Sequence, residues 1–139
     1  MTESVALFER QAWSARHDHV SAARHFVADR LSEWRVPAAV DSAVLVVSEL
    51  STNAVIHAQT SFSVHVSWNG EVVLVQVTDG SPAPPAINRT ESGTPGGRGL
   101  VVVDAVAEQW GSIPLPHGKT VWATLVTAEG PDSAATRGA

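Results

Sequence analysis

The chain has 139 residues, 44% of them hydrophobic and 17% charged, which is the length and composition of one globular domain with a real core. Nine scattered Lys and Arg within a net charge of −5 argue against a general nucleic-acid binder, and the absence of Cys excludes disulfides, thiolate metal sites and a Cys nucleophile. The start Met1-Thr2-Glu3-Ser4 lacks the basic and apolar regions of a leader. No apolar run approaches the roughly 18 residues of a membrane span, so a cytoplasmic location is expected.

In chain order, residues 4–9 alternate Val5 and Leu7 with polar neighbours and suggest a first strand. Residues 14–34 read as a helix with Val20, Phe26, Val27 and Leu31 on its apolar side, and Pro37 opens a second helix. Residues 61–68 and 71–78 are β-rich and flank Asn69-Gly70, a hairpin signal. Residues 81–85, Ser-Pro-Ala-Pro-Pro, are too proline-rich for regular structure, and the irregular stretch continues through Asn88, Arg89 and Thr90 to the glycines near residue 96. A short helix from Leu100 to Ala107 and two strands, 108–113 and 119–127, complete an expected domain of residues 1–127. Residues 128–139 form a small-residue polar tail, expected to be disordered.

Three segments carry chemistry. Residues four apart on a helix lie about 40° apart around its axis, so Glu49, Asn53 and His57 form one polar stripe opposite the apolar Val46, Leu50 and Ala54. Asn has poor mid-helix propensity, and its amide oxygen is a hard ligand suited to Mg²⁺. His57 either touches the same site or bonds local polar groups. Asp79 ends the second hairpin strand, where its carboxylate either starts a turn or accepts a hydrogen bond from an exocyclic amine such as adenine N6. Gly96-Gly97-Arg98-Gly99-Leu100 leads into a helix, so backbone N–H groups and the positive end of the helix dipole can meet a phosphate. Arg98 either adds a charge-assisted contact there or pairs with an acidic surface neighbour. The spacing matches neither a P-loop nor a Rossmann fingerprint. His17-Asp18-His19 is a metal-like tripeptide, but residues two apart on a helix face different directions, which favours a surface role. The Trp residues at positions 34, 68, 110 and 122 read as packing groups.

This order of Glu-x-x-x-Asn, strand-terminal Asp and Gly-x-Gly-Leu resembles the GHKL, or Bergerat-fold, ATPase superfamily, and most closely the small bacterial anti-sigma factor serine kinases and their actinobacterial relatives. The matching residues are Glu49, Leu50, Asn53, Ala54 and His57, then Gly97, Arg98, Gly99 and Leu100, then Gly118, Thr120 and Val121, within a span of about residues 10–127. The superfamily's Asp-x-Gly box is Asp79-Gly80-Ser81 here, so Ser81 either narrows the site or replaces a contact with its hydroxyl.

The resemblance implies an α/β sandwich of the α+β two-layer kind, a mixed, mostly antiparallel sheet with helices on one face, and an ATP lid over the segment between Ser81 and the glycines. It implies that Asp79 reads adenine with Thr120 as a weaker member of the same network, and that Asn53 holds Mg²⁺ on ATP. Backbone donors of Gly97, Gly99 and Leu100 would cradle the phosphates. Glu49 would take the proton of a Ser or Thr hydroxyl on an anti-sigma antagonist protein as the γ-phosphoryl transfers. A sigma factor is the second candidate partner, and a homodimer is open. Two other readings stand beside the kinase: an ATP-dependent partner-switching module without turnover, and a partner-binding protein that keeps only the fold.

Overall fold

A computed structural model describes residues 7–85 and 99–127. The expected tail and most of the lid lie outside the described residues. Strand β1 (Leu7–Trp13) is followed by helix α1 (His17–Glu33), a 3₁₀ turn at Pro37–Ala39, and helix α2 (Val40–Asn53), which runs into a π turn at Ala54–Ala58. Strands β2 (Phe62–Trp68) and β3 (Val72–Asp79), helix α3 (Gly99–Val106), and strands β4 (Gln109–Leu115) and β5 (Gly118–Val126) complete the order.

The five strands form one sheet in the order β1-β2-β3-β5-β4, and every pairing is antiparallel. Strand β1 runs past the expected residue 9 to Trp13, which packs edge-on against Phe26 of α1 at 5.7 Å and over Phe62 of β2 at 5.6 Å between ring centroids; residues 4–6 of the expected strand lie outside the described residues. The β2–β3 turn is closed by Asn69, whose side-chain oxygen accepts the backbone N–H of Glu71 at 2.9 Å and of Val72 at 2.8 Å, while Gly70 takes the left-handed conformation at φ 101°.

Side chains alternate across the strands, so Val73, Val75 and Val77 of β3 share the inner face with Val64 and Val66 of β2 and with Val121, Ala123 and Leu125 of β5. Helix α2 covers β3 and β5 with Val46, Val47 and Leu50, and α1 and α3 pack on α2. Each fully buried Val or Leu contributes roughly 1.5–3 kcal/mol. The helices thus form one layer and the sheet the other, an α+β two-layer sandwich.

The continuous helical stretch Pro37–Ala58, 22 residues with mean hydropathy 1.4 in its most apolar part, is by length and composition alone long and apolar enough to cross a membrane. This corrects the expectation that no such run exists. Asp41, Glu49 and Asn53 interrupt the apolar string in sequence without lowering its average enough, and in the fold the stretch serves as the central core helix.

On the sheet's outer face, His65 of β2 stacks on Phe8 at 5.7 Å with an interplanar angle of 18° and sits directly across from Arg10. Desolvation, and then the like charge of Arg10, hold the imidazole below its usual pKa of 6.5. The folded state therefore favours neutral His65, and the unfolded chain takes up the proton first as pH falls. The stability from this site is present above the ordinary His pKa and is lost as pH drops through it. In chemical denaturation between pH 8 and pH 5, the parent is expected to lose more stability than His65→Gln, and equal slopes would refute the assignment.

Candidate functional site

The end of β3 is built around Asp79, only 8% exposed although it is a carboxylate. By the alternation that buries Val75 and Val77, Asp79 points to the helix side of the sheet. Directly opposite on β5 lies Lys119, also 8% exposed, and its Nζ donates to Asp79 Oδ1 at 3.1 Å and to the carbonyl of Ser81 at 3.3 Å. The Ser81 N–H donates to the same Oδ1 at 2.9 Å. The Gly80 N–H donates to Thr60 Oγ1 at 2.8 Å, and Thr60 donates to the carbonyl of Ser61, so the chain leaving α2 is tied to the chain leaving β3.

Helix α2 supplies the second half. Glu49 and Asn53 are half-buried and one helical turn apart, on the face adjoining the apolar stripe. Asn53 Oδ1 is buried and has no hydrogen-bond partner among the described residues. An unpaired buried amide oxygen costs on the order of 1–3 kcal/mol, so this oxygen is open to an ordered water or a ligand atom. Directly after Asn53 the helix widens into the π turn, which closes with the Gln59 N–H on the Ala54 carbonyl at 2.8 Å and Gln59 at φ 57°. Single π turns inside α-helices recur at functional sites. His57 lies on this turn and is exposed.

The structure does not bring Thr120 to Asp79. Thr120 is one residue out of phase and faces the opposite side of the sheet, where its Oγ1 bonds Thr78 Oγ1 at 2.7 Å. The side chain of Ser81 turns to its own loop, accepting the Ala83 N–H at 3.3 Å, so its contribution beside Asp79 is made by its backbone. Gly99 begins α3 and Leu100 is buried at 1% exposure against the core. Gly97 and Arg98 lie outside the described residues. Around His17-Asp18-His19, Arg16 pairs with Asp18 at 3.1 Å and His19 Nδ1 bonds the Ser14 carbonyl at 2.9 Å. No group of three or more metal-type side chains gathers among the described residues. A cavity of about 360 Å³ lies by Ala38, Ser42, Glu108 and Leu125, near the end of β5 remote from Lys119, and has none of this chemistry.

Lys119 and Thr60 were invisible to motif reading. Strand parity could have found Lys119, because the alternation that buries Val121, Ala123 and Leu125 places Lys119 on the same inner face.

A buried carboxylate at a strand end, an unpaired Asn oxygen on the facing helix and a glycine-led helix after β3 share one fold with a known family. The model of the histidine kinase-like ATPase domain matches residues 13–125. The chain belongs to that family. The crystal structure of the RsbU and RsbW domains of Rv1364c from Mycobacterium tuberculosis matches this ATPase domain with a TM-score of 0.69 at 17% identity, over 89% of this chain and 34% of that one. The ATPase domain thus spans about a third of the chain it resembles. No curated protein matches it closely enough to count as a relative. The resemblance to GHKL ATPases read from the motifs is borne out.

Gly118 is what allows Lys119 to reach Asp79 in this ATPase domain. A Cβ at Gly118 would lie 2.0 Å from the Asp79 carbonyl oxygen, a backbone atom that cannot rotate away. Gly118→Ala is expected to lower stability by about 1–3 kcal/mol, measured by chemical denaturation. A stability unchanged from the parent would show that the strand ends do not need this contact.

Proposed function

We propose that this ATPase domain binds Mg²⁺-ATP between α2 and the Asp79 strand end and transfers the γ-phosphoryl group to a Ser or Thr hydroxyl of an antagonist protein. It would act in the cytoplasm as an anti-sigma factor kinase, with a sigma factor as its second partner. The observation that carries the reading is the orphaned Oδ1 of Asn53, buried on the helix that presents Glu49 one turn earlier. That oxygen fits a hard cation. Asn53 would hold Mg²⁺, which when bound neutralises charge on phosphate oxygens.

Asp79 is acceptor-only while ionised, so it suits the exocyclic amine of adenine. Glu49 is half-buried with its neighbour Asn53 directing the nucleotide, and it takes the proton as the attacking hydroxyl oxygen bonds to the γ-phosphorus and the bond to the ADP oxygen breaks. Backbone donors at Gly97, Gly99 and Leu100, where α3 begins, would hold the phosphates, and Arg98 would add charge. The exposed His57 on the π turn and Ser81 beside Asp79 would border the nucleotide, while Thr120 would act only through its strand.

Both Asp79→Ala and Asp79→Asn remove the charge opposite Lys119, but Asn keeps the side-chain shape and one acceptor oxygen for the Lys119 Nζ, so it disturbs the fold less. By calorimetry, Asn53→Ala is expected to weaken Mg²⁺-ATP binding about tenfold or more, and Asp79→Asn to narrow the preference for ATP over nucleotides lacking the amine. Unchanged affinity in Asn53→Ala would remove the metal role. Glu49→Gln is expected to keep nucleotide affinity and lose roughly 10²–10⁴-fold in transfer of labelled γ-phosphate to a candidate antagonist. Binding without transfer to any antagonist would instead indicate a partner switch driven by nucleotide occupancy.

A further inference from the structure

Lys119 is a buried charge that the proposed chemistry leaves unused. Its side chain is 10% exposed and that of Asp79 5%. An ammonium has three N–H donors. One goes to Asp79 Oδ1 at 3.1 Å and one to the Ser81 carbonyl at 3.3 Å, and the third has no acceptor among the described residues. Both bonds that Asp79 receives from described residues land on Oδ1, so neither engages Oδ2. The strand ends therefore present an acceptor oxygen and an unspent donor side by side. Ser81 holds both, its N–H on the carboxylate and its carbonyl on the ammonium, so neither group is free to swing.

We propose that Lys119 is a specificity-determining residue of the base site, donating its third N–H to ring N1 of adenine while Asp79 accepts from the N6 amine. This rests on the ATP reading above. Adenine carries that donor and that acceptor next to each other on one edge. Guanine carries a carbonyl and an N–H in the same two places, so each would meet a group of its own kind and leave buried polar atoms unpaired. The ion pair thus selects ATP over GTP by two contacts rather than one.

Calorimetry of the full chain with Mg²⁺ tests this with nucleotides that differ by single atoms. For the parent, 1-deaza-ATP, which has C–H in place of N1, is expected to bind about tenfold more weakly than ATP, whereas 7-deaza-ATP, which keeps N1, binds within about threefold. GTP is expected to be weaker than ATP by at least the same tenfold. Lys119→Met keeps the side-chain length without the donors, and in it ATP and 1-deaza-ATP are expected to bind alike, with circular dichroism confirming the fold. If that variant does not fold, the parent's ratio of ATP to 1-deaza-ATP decides. Equal binding of these two nucleotides to the parent overturns the role of Lys119. In that case a loss of affinity for purine riboside triphosphate, which lacks the amine, would leave the adenine reading of Asp79 standing. A folded parent that binds none of the nucleotides overturns the ATP reading itself, and the role of Lys119 with it.

Discussion

The ion pair between Asp79 and Lys119 sets the terms for the rest of the site. Two charges whose side chains are 5% and 10% exposed give up most of their hydration, and their attraction offsets that loss only if the geometry is good and the remaining polar atoms are bonded. The backbone of Ser81 supplies those bonds. Removing one partner of such a pair typically costs about 3–5 kcal/mol, more than the intact pair contributes, because the other charge is left stranded. The pair also depends on register. Asp79 lies opposite Lys119 only in the observed alignment of β3 with β5, and a slip of one residue would send one member to the outer face. The register that buries Val75, Val77, Val121 and Ala123 is therefore the one that assembles the site, so packing and site geometry select the same alignment.

The other half of the site follows a different logic. Helix α2 is held by Val46, Val47 and Leu50, and at its last residue, Asn53, it carries a buried amide oxygen without a partner among the described residues. A helix chosen for stability alone would place an apolar or bonded side chain there. The π turn that follows widens the last turn, and Thr60 then ties this segment to Gly80 beside Asp79. The two halves are joined by a short covalent and hydrogen-bonded path rather than by packing alone, which keeps Asn53 and Asp79 in a fixed relation.

Much of this was legible in the sequence, for identifiable reasons. The 3.6-residue periodicity around Val20, Phe26, Val27 and Leu31 marks α1, and Asn69-Gly70 between two β-rich runs marks the hairpin. The end of strand β1 was set too early because its residues from Leu7 to Ala12 are exposed on an edge strand and give no alternation to read, and its anchor Trp13 acts only through distant Phe26 and Phe62. The length of the apolar helix was underestimated because scattered Asp, Glu and Asn hide an average that spans Pro37–Ala58. Motif matching drew attention to Thr120, whereas burial and parity select its neighbour Lys119. A Lys beside a Gly looks like a solvated turn residue until the strand that follows is counted in steps of two from Leu125. Gly97 and Arg98 fall outside the described residues, so their part in the site rests on motif and resemblance.

The placement of chemistry within the fold has its own explanation. The strand ends by Asp79 and Lys119 are fixed from several sides: ladder bonds hold β3 to β2 and β5, Thr60 bonds Gly80, and Gly118 permits backbone contact closer than any other residue type would allow. The end of the sheet by Leu125 borders the cavity near Ala38 and Ser42, and among the described residues it carries no buried ion pair comparable to Asp79–Lys119. A ligand that must be told from a close analogue by one or two hydrogen bonds needs groups that do not move to accommodate the wrong one. The buried Asp79–Lys119 pair, held by the backbone of Ser81 and by the register of β3 against β5, has that rigidity, so the same constraints that fix the strand ends make them suited to telling apart ligands that differ by one donor or acceptor.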